Sequence, residues 1–312
     1  MKTQTLIFWF LGCVIALLFA SDGFCQAGQK DFPLLKGSYL GQKPPGAIPK
    51  IFAPGIVSTD WYNHCTISIS PDGSEIYWAM APLDMPGRIY FSKIVNGVWT
   101  KPEIVSFTQS EDGDCPVLSP DGVKMYFNSN RPLPQNNGQR ERIWCVERTQ
   151  EGWGNPFPLG PEINDQHLHW QISVDARGNL FFGSERSGTK GRDDVFMAGN
   201  TDGVFQKPLS LGTAINSSSL EGCPFIAPDG SYLIFCRDGL WISFKGKNGS
   251  WTKAISMGDR FKEAICPYIS PDGKYLFYLG MGMGYNDIYW VETRSIESLH
   301  PKETNLKLEK IY

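Results

Sequence analysis

Three of the chain's four histidines sit in short stretches crowded with carboxylates and aromatic rings. Asp60-Trp61-Tyr62-Asn63-His64 is one such stretch, and Asp165, His167, His169 and Trp170 make another. Glu111, Asp112 and Asp114 form an acidic group, Glu221 stands alone, and Asp259, Arg260 and Glu263 complete the set. Imidazoles and carboxylates brought to one axis can hold a divalent metal. They can also act as general acid and base in sugar chemistry. Trp61, Tyr62 and Trp170 offer faces on which a sugar ring could stack. His167 and His169 are two residues apart, so on a strand they point to the same side. The same groups have plainer uses, in which the acids hydrogen-bond neighbouring elements and the histidines fill a solvated channel. Arg131, Arg140, Arg186, Lys190 and Arg192 could meet an anion or be solvated loop charge. No cofactor is named by any motif. There is no Cys-x-x-Cys pair and no Gly-x-Ser-x-Gly elbow, and Gly280-Met281-Gly282-Met283-Gly284 joins two strands instead of opening a helix.

What must position these residues is a repeated β unit. Pro-Asp-Gly recurs at Pro71-Asp72-Gly73, Pro120-Asp121-Gly122, Pro228-Asp229-Gly230 and Pro271-Asp272-Gly273, with a degenerate copy at Asp175-Ala176-Arg177-Gly178. Each copy lies between two alternating apolar segments. Pro presets φ, Asp bonds the local backbone and Gly takes the left-handed position, so each is a hairpin. A third strand follows in every unit, for example Arg88-Ile89-Tyr90-Phe91 and Asp287-Ile288-Tyr289-Trp290. A fourth is expected at Trp99-Thr100-Lys101-Pro102, Trp153-Gly154-Asn155-Pro156, Phe205-Gln206-Lys207-Pro208 and Trp251-Thr252-Lys253-Ala254. The recurring Trp99, Trp153 and Trp251 read as core packing. Four antiparallel strands at this period are the signature of a β-propeller blade.

The fifth unit has no fourth strand of its own. Ile51 to Val57 resembles the missing piece, so it should pair with the strands of residues 266 to 292 and close a five-bladed ring over residues 49 to 294. Closure removes two sheet edges. The candidate residues then fall at the starts of the innermost strands, at one rim of the central channel. Residues 28 to 48 read as an extended arm and residues 295 to 312 as a tail. Cys223 and Cys236 flank one hairpin turn symmetrically, which predicts neighbouring thiols and admits a disulfide.

The first residues read as a targeting segment. Lys2 precedes an apolar run from Leu6 to Ala20, and Cys25-Gln26-Ala27 places small residues where a signal peptidase cuts, giving a signal peptide over residues 1 to 27. Cleavage after Ala20 is the alternative. A lipid anchor fits poorly, because Cys13 lies inside the run and Cys25 follows bulky Phe24. No later stretch is long and apolar enough to span a membrane. Export permits disulfides among the remaining cysteines. The chain has 29 basic and 32 acidic residues, a net charge of −3, which argues against a nucleic-acid partner. With 41% hydrophobic residues it can bury a core, and 33 Gly with 22 Pro suit a protein built of turns.

The blades resemble the WD-like propeller repeats of TolB. In that family the second strand often ends in Phe-x-Ser-x-Arg, which Phe127-Asn128-Ser129-Asn130-Arg131 and Phe182-Gly183-Ser184-Glu185-Arg186 match. Phe235-Cys236-Arg237 and Tyr278-Leu279-Gly280 depart from it. The chain is similar more closely to exported TolB-like propellers of the Bacteroidetes type. Gly41-Gln42-Lys43-Pro44-Pro45-Gly46, Phe52-Ala53-Pro54-Gly55-Ile56-Val57-Ser58-Thr59, Pro224-Phe225-Ile226-Ala227-Pro228-Asp229 and Cys266-Pro267-Tyr268-Ile269-Ser270-Pro271-Asp272-Gly273 carry that likeness. It implies a secreted or periplasmic all-β protein and no settled activity. The expectation is a binding module for a protein or glycan in the cell envelope, contacted at the channel rim through His64, Asp114, His169, Trp170, Glu221 and Glu263. The alternative is a carbohydrate-active hydrolase or lyase using the same His and carboxylate residues.

Overall fold

The computed structural model describes residues 32–133, 141–164, 168–185, 191–280 and 287–294. Five antiparallel sheets of four or more strands follow one another along the chain. Their innermost strands are Ser68–Ile69, Asp114–Leu118, Leu168–Val174, Gly222–Ile226 and Ala264–Ile269. In each blade the next strand, such as Lys124–Ser129 or Tyr275–Gly280, runs back from the turn and pairs with a third. This is a five-bladed β-propeller.

The turns fold as their residues dictate. In the first, Gly73 N–H donates to the Ser70 carbonyl, Ser70 Oγ donates to Asp72 Oδ1 at 2.6 Å, and Asp72 also accepts from Ser74 N–H. Gly73 has φ +71°, which a residue with a Cβ rarely adopts. In the degenerate third copy Asp175 serves for both missing partners: its Oδ1 accepts from the N–H of Arg177 and of Asn179.

The fourth strands differ from expectation in position. Val98–Trp99 and Gly152–Trp153 only prolong a hairpin with the third strand, and Val204–Phe205 pairs with Asn200–Thr201. The outermost ladder starts later, at Glu103–Ile104, Phe157–Pro158, Leu209–Ser210 and Ile255–Ser256. Pro102, Pro156 and Pro208 lack an N–H and interrupt the run between the two pieces.

Closure occurs where the missing strand placed it, over a shorter span. Lys50 pairs with Trp290 and Ile51 with Tyr289, and Phe52 N–H reaches the Ile288 carbonyl at 2.7 Å. Beyond that Ala53 turns to φ +44°, and the N–H groups of Ile56 and Val57 both return to its carbonyl. Residues 53–57 are therefore a turn. The described part of the arm packs down: Leu40 is buried, Tyr39 Oη donates to Asp272, and Trp99 Nε1 donates to the Gly37 carbonyl.

The core lies between blades. Phe52, Phe277, Trp290 and Leu40 belong to one apolar cluster that spans the closure, while Tyr77, Phe127 and Trp144 fill the space between blades one and two. Trp99 is fully buried, whereas Trp153 and Trp251 are half-buried beneath Arg148 and Lys245.

Candidate functional site

The innermost strands bond to one another around the axis. Ser68 Oγ accepts from Leu118 N–H and Ser173 Oγ from Ile226 N–H, both at 2.9 Å. Tyr268 Oη accepts from Ile69 N–H, which joins blade five to blade one. These strands enclose a channel of about 710 Å³. That volume lies within the range of small-molecule and cofactor sites, about 300–1,000 Å³.

The channel is closed at one end and open at the other. At the end where the innermost strands begin, its lining is Cys65, Cys115 and Gln171, all buried. Gln171 Nε2 donates to the Pro267 carbonyl at 2.7 Å, so this side chain links blade three to the non-adjacent blade five. Its Oε1 is buried without a partner. At the Pro-Asp-Gly end the lining includes the exposed Pro71, Asp229 and Arg294. The wall between carries Val117, Phe225 and Tyr268, the two rings edge to face at 5.7 Å.

The closed end owes its shape to a bulge that recurs in the innermost strands. Pairing shifts register between Asp114 and Val117, His169 and Ser173, Gly222 and Phe225, and Ile265 and Tyr268. Cys115, Cys223 and Cys266 sit in these bulges at φ +46°, +46° and +52°. A bulge re-aims a side chain out of the regular alternation, and here four cysteine sulfurs meet at the axis. Cys65 and Cys115 form a disulfide with Cα atoms 5.2 Å apart. Cys266 Sγ lies 3.9 Å from Cys65 Sγ and 3.5 Å from Cys223 Sγ. Cys236 is hydrogen-bonded to Cys223, so these two are neighbours with both thiols free.

The candidate residues have different surroundings. His64 Nδ1 contacts Asp114 Oδ2, linking blades one and two beside the disulfide. That hydrogen bond raises the His64 pKa above its ordinary value, against the opposing effect of burial. The contact is partly exposed, and it is an ion pair when His64 is protonated. Glu221 is fully buried. It accepts from Ser217 N–H at 3.0 Å and from Arg237 Nε at 2.6 Å. Glu263 is exposed. His169 and Trp170 belong by backbone to Leu168–Val174, and their side chains lie outside the described residues, as do Asp165 and His167 entirely.

The arginines behave as structural clamps. Arg131 is buried between the rings of Phe127 and Trp144, at 5.0 and 5.1 Å, and donates to the carbonyls of Phe107 and Asp112. Arg237 lies over Phe235 and Trp241 at 5.3 and 4.6 Å and donates to the Ile215 carbonyl and Glu221. Blade four thus keeps the arginine clamp although it departs from Phe-x-Ser-x-Arg. Arg140, Arg186 and Lys190 lie outside the described residues, and Arg192 is exposed.

Sequence reasoning missed the axial sulfurs. Their signal was present: Cys115-Pro116, Cys223-Pro224 and Cys266-Pro267 stand at the same distance before the proline of their turns.

The sequence matches no protein-family model and no curated protein. Solved structures include similar folds. TolB from Acinetobacter baumannii is 15% identical with a TM-score of 0.47, and the match covers 72% of this chain and 53% of that one. The chain therefore spans about half the length of that TolB. A putative TolB from Agrobacterium tumefaciens is 17% identical, covering 71% of each chain at a TM-score of 0.48. A protein of unknown function from Dyadobacter fermentans is 12% identical, covering 80% of this chain and 83% of that one at 0.50. TolB structures thus stand among the neighbours, as the Pro-Asp-Gly blades led one to expect, and identities this low speak for fold alone.

Proposed function

We propose that this propeller is an exported binding module whose ligand occupies the central channel from the Pro-Asp-Gly face. The observation that carries this reading is the asymmetry of the channel, closed by buried cysteines and Gln171 at one end and open among exposed turn residues at the other. A guest in about 710 Å³ is slender, the end of a glycan or of a polypeptide in the cell envelope. Phe225 and Tyr268 supply apolar ring surface, and the serines and turn backbone supply polar contacts. Export is supported by the apolar run Leu6 to Ala20 and by the Cys65–Cys115 disulfide, which suits an oxidising compartment. Among the described residues no helix is long and apolar enough to cross a membrane. The hydrolase alternative is weakened by Glu221, whose carboxylate is occupied by Arg237 and Ser217.

The test is a glycan array with a parallel peptide screen on wild type and Val117→Phe. Val117 lines the channel and is half-buried, so the larger ring fills space without removing a hydrogen bond. Hits on the wild type that the variant loses, at an unchanged melting temperature, support the reading. Hits retained at full affinity by the variant place the ligand elsewhere.

A further inference from the structure

The five sulfurs near the axis are ordered as a chain. Cys115 is bonded to Cys65, Cys65 touches Cys266, Cys266 touches Cys223, and Cys223 accepts a hydrogen bond from Cys236. The ends of this chain are its most exposed members, Cys115 at 5% and Cys236 at 6%, while the three inner residues are at 0–2%. Three of the five occupy left-handed bulge positions. A residue with a Cβ is strained there, and such strain clusters at functional sites. Thiol–disulfide exchange needs a thiolate in contact with a disulfide sulfur and a leaving thiolate. Cys266 is in contact with Cys65 as a thiol whose pKa is pushed well up by its hydrogen bond to Cys223 and by burial, so it meets the first need only once its proton has passed to Cys223; Cys115 is the leaving group.

We propose that Cys115, Cys65, Cys266, Cys223 and Cys236 form one thiol–disulfide exchange site, in which the single disulfide migrates between the Cys65–Cys115 and Cys223–Cys236 positions through Cys266.

Each step balances within the cluster. Cys223 accepts hydrogen bonds from the thiols of Cys236 and Cys266 and from the backbone N–H of Gln171 and Cys266, which together hold its pKa well below the usual thiol value. As a thiolate it is the base within reach of Cys266; taking that proton is uphill, because the Cys266 pKa is itself pushed well up, so the Cys266 thiolate forms as a minor species. The Cys266 sulfur then attacks Cys65, the Cys65–Cys266 bond forms, the Cys65–Cys115 bond breaks, and Cys115 leaves with the electron pair. Cys223 next attacks Cys266, forming Cys223–Cys266 and releasing Cys65, which receives the Cys223 proton. Cys236 attacks Cys223 in turn, forming Cys223–Cys236 and releasing Cys266, which receives the Cys236 proton. One disulfide, two thiols and one thiolate stand on each side, so no outside oxidant or reductant is consumed.

The test follows one disulfide in the folded protein. The chain is reduced with dithiothreitol, freed of it, and reoxidised with one equivalent of oxidised glutathione. Samples are quenched in acid over time, alkylated with N-ethylmaleimide and mapped as non-reduced peptides. In the wild type a Cys223-containing disulfide should appear early and decay as Cys65–Cys115 rises. Cys266→Ala should slow the rise of Cys65–Cys115 at least tenfold and leave Cys223–Cys236 accumulated. The double variant Cys115→Ser with Cys223→Ser should trap Cys65–Cys266. The proposal is overturned if Cys65–Cys115 forms in Cys266→Ala at the wild-type rate. It is equally overturned if Cys65 in the double variant is found free or glutathionylated. The wild-type time course stands without any variant, and Cys65–Cys115 rising there with no Cys223 disulfide before it overturns the proposal as well. Failure here leaves the channel reading intact, since that rests on Val117→Phe.

Discussion

Replacing Arg237 by Ala removes the cation that faces the fully buried carboxylate of Glu221. The wild-type guanidinium makes two polar contacts, to Glu221 and to the Ile215 carbonyl, and lies over Phe235 and Trp241. Its side chain is 15% exposed and that of Glu221 is 0%, so solvent screens the pair little. Removing one partner of a buried pair costs about 3–5 kcal/mol, because the other charge is left uncompensated. For a domain of this size each kcal/mol lowers Tm by roughly 2–4 °C. Arg237→Ala should therefore lower Tm by roughly 10 °C in a thermal unfolding scan at neutral pH. Pairing Glu221→Gln with Arg237→Met should recover more than half of the loss, since no buried charge remains. A fall under about 3 °C, or a double variant no better than the single, would refute the assignment of Glu221 to the clamp and return it to the pool of ligand residues.

Three further outcomes follow from the same contacts. Phe52→Ala removes a buried ring packed edge to face on Phe277 and Trp290 at 5.1 and 5.3 Å, and should cost about 3–5 kcal/mol by urea unfolding; a loss under about 1 kcal/mol would mean the ring is not closed there. The folded His64 pKa is raised by Asp114, so the stability this pair contributes is fully present below the unfolded value of about 6.5 and fades as pH rises through the folded one. The Tm gap between wild type and His64→Gln should thus be larger at pH 6 than at pH 9, and an unchanged gap would contradict the pair. Full reduction opens a loop of sequence separation 50, worth about 4 kcal/mol by chain entropy, so Tm should fall on adding a phosphine reductant, and an unchanged Tm would contradict the bond.

The parts of this fold that could be read along the chain are the local ones. Pro-Asp-Gly sets a hairpin through its own φ angles and side-chain bonds, so five blades were legible without knowing any distant contact. The missing fourth strand of the last unit was legible because a sheet edge needs a partner, and Lys50–Ile51 supplies it. What escaped was decided between blades. Symmetry about the turn set Cys223 opposite Cys236, yet the bulge shifts the ladder so that Gly222 pairs with Cys236 and the Cys223 thiol turns toward the axis. The one sequence trace of that bulge is the Cys-Pro recurring at the same distance before three of the turns, and a single Cys-Pro is as compatible with a regular edge. Likewise Glu221 looked available until Arg237, sixteen residues later, folded back on it.

The central claim is that the channel receives its ligand from the Pro-Asp-Gly face. Hydrogen exchange read by mass spectrometry, with and without a ligand selected by the array, tests it most directly. The account predicts protection in the innermost strands around Val117 and Tyr268 and in the turns at Pro71, Asp229 and Lys274. Protection confined to the segments where the innermost strands begin, at His64, the backbone of His169 and Trp170, and Glu263, would contradict it.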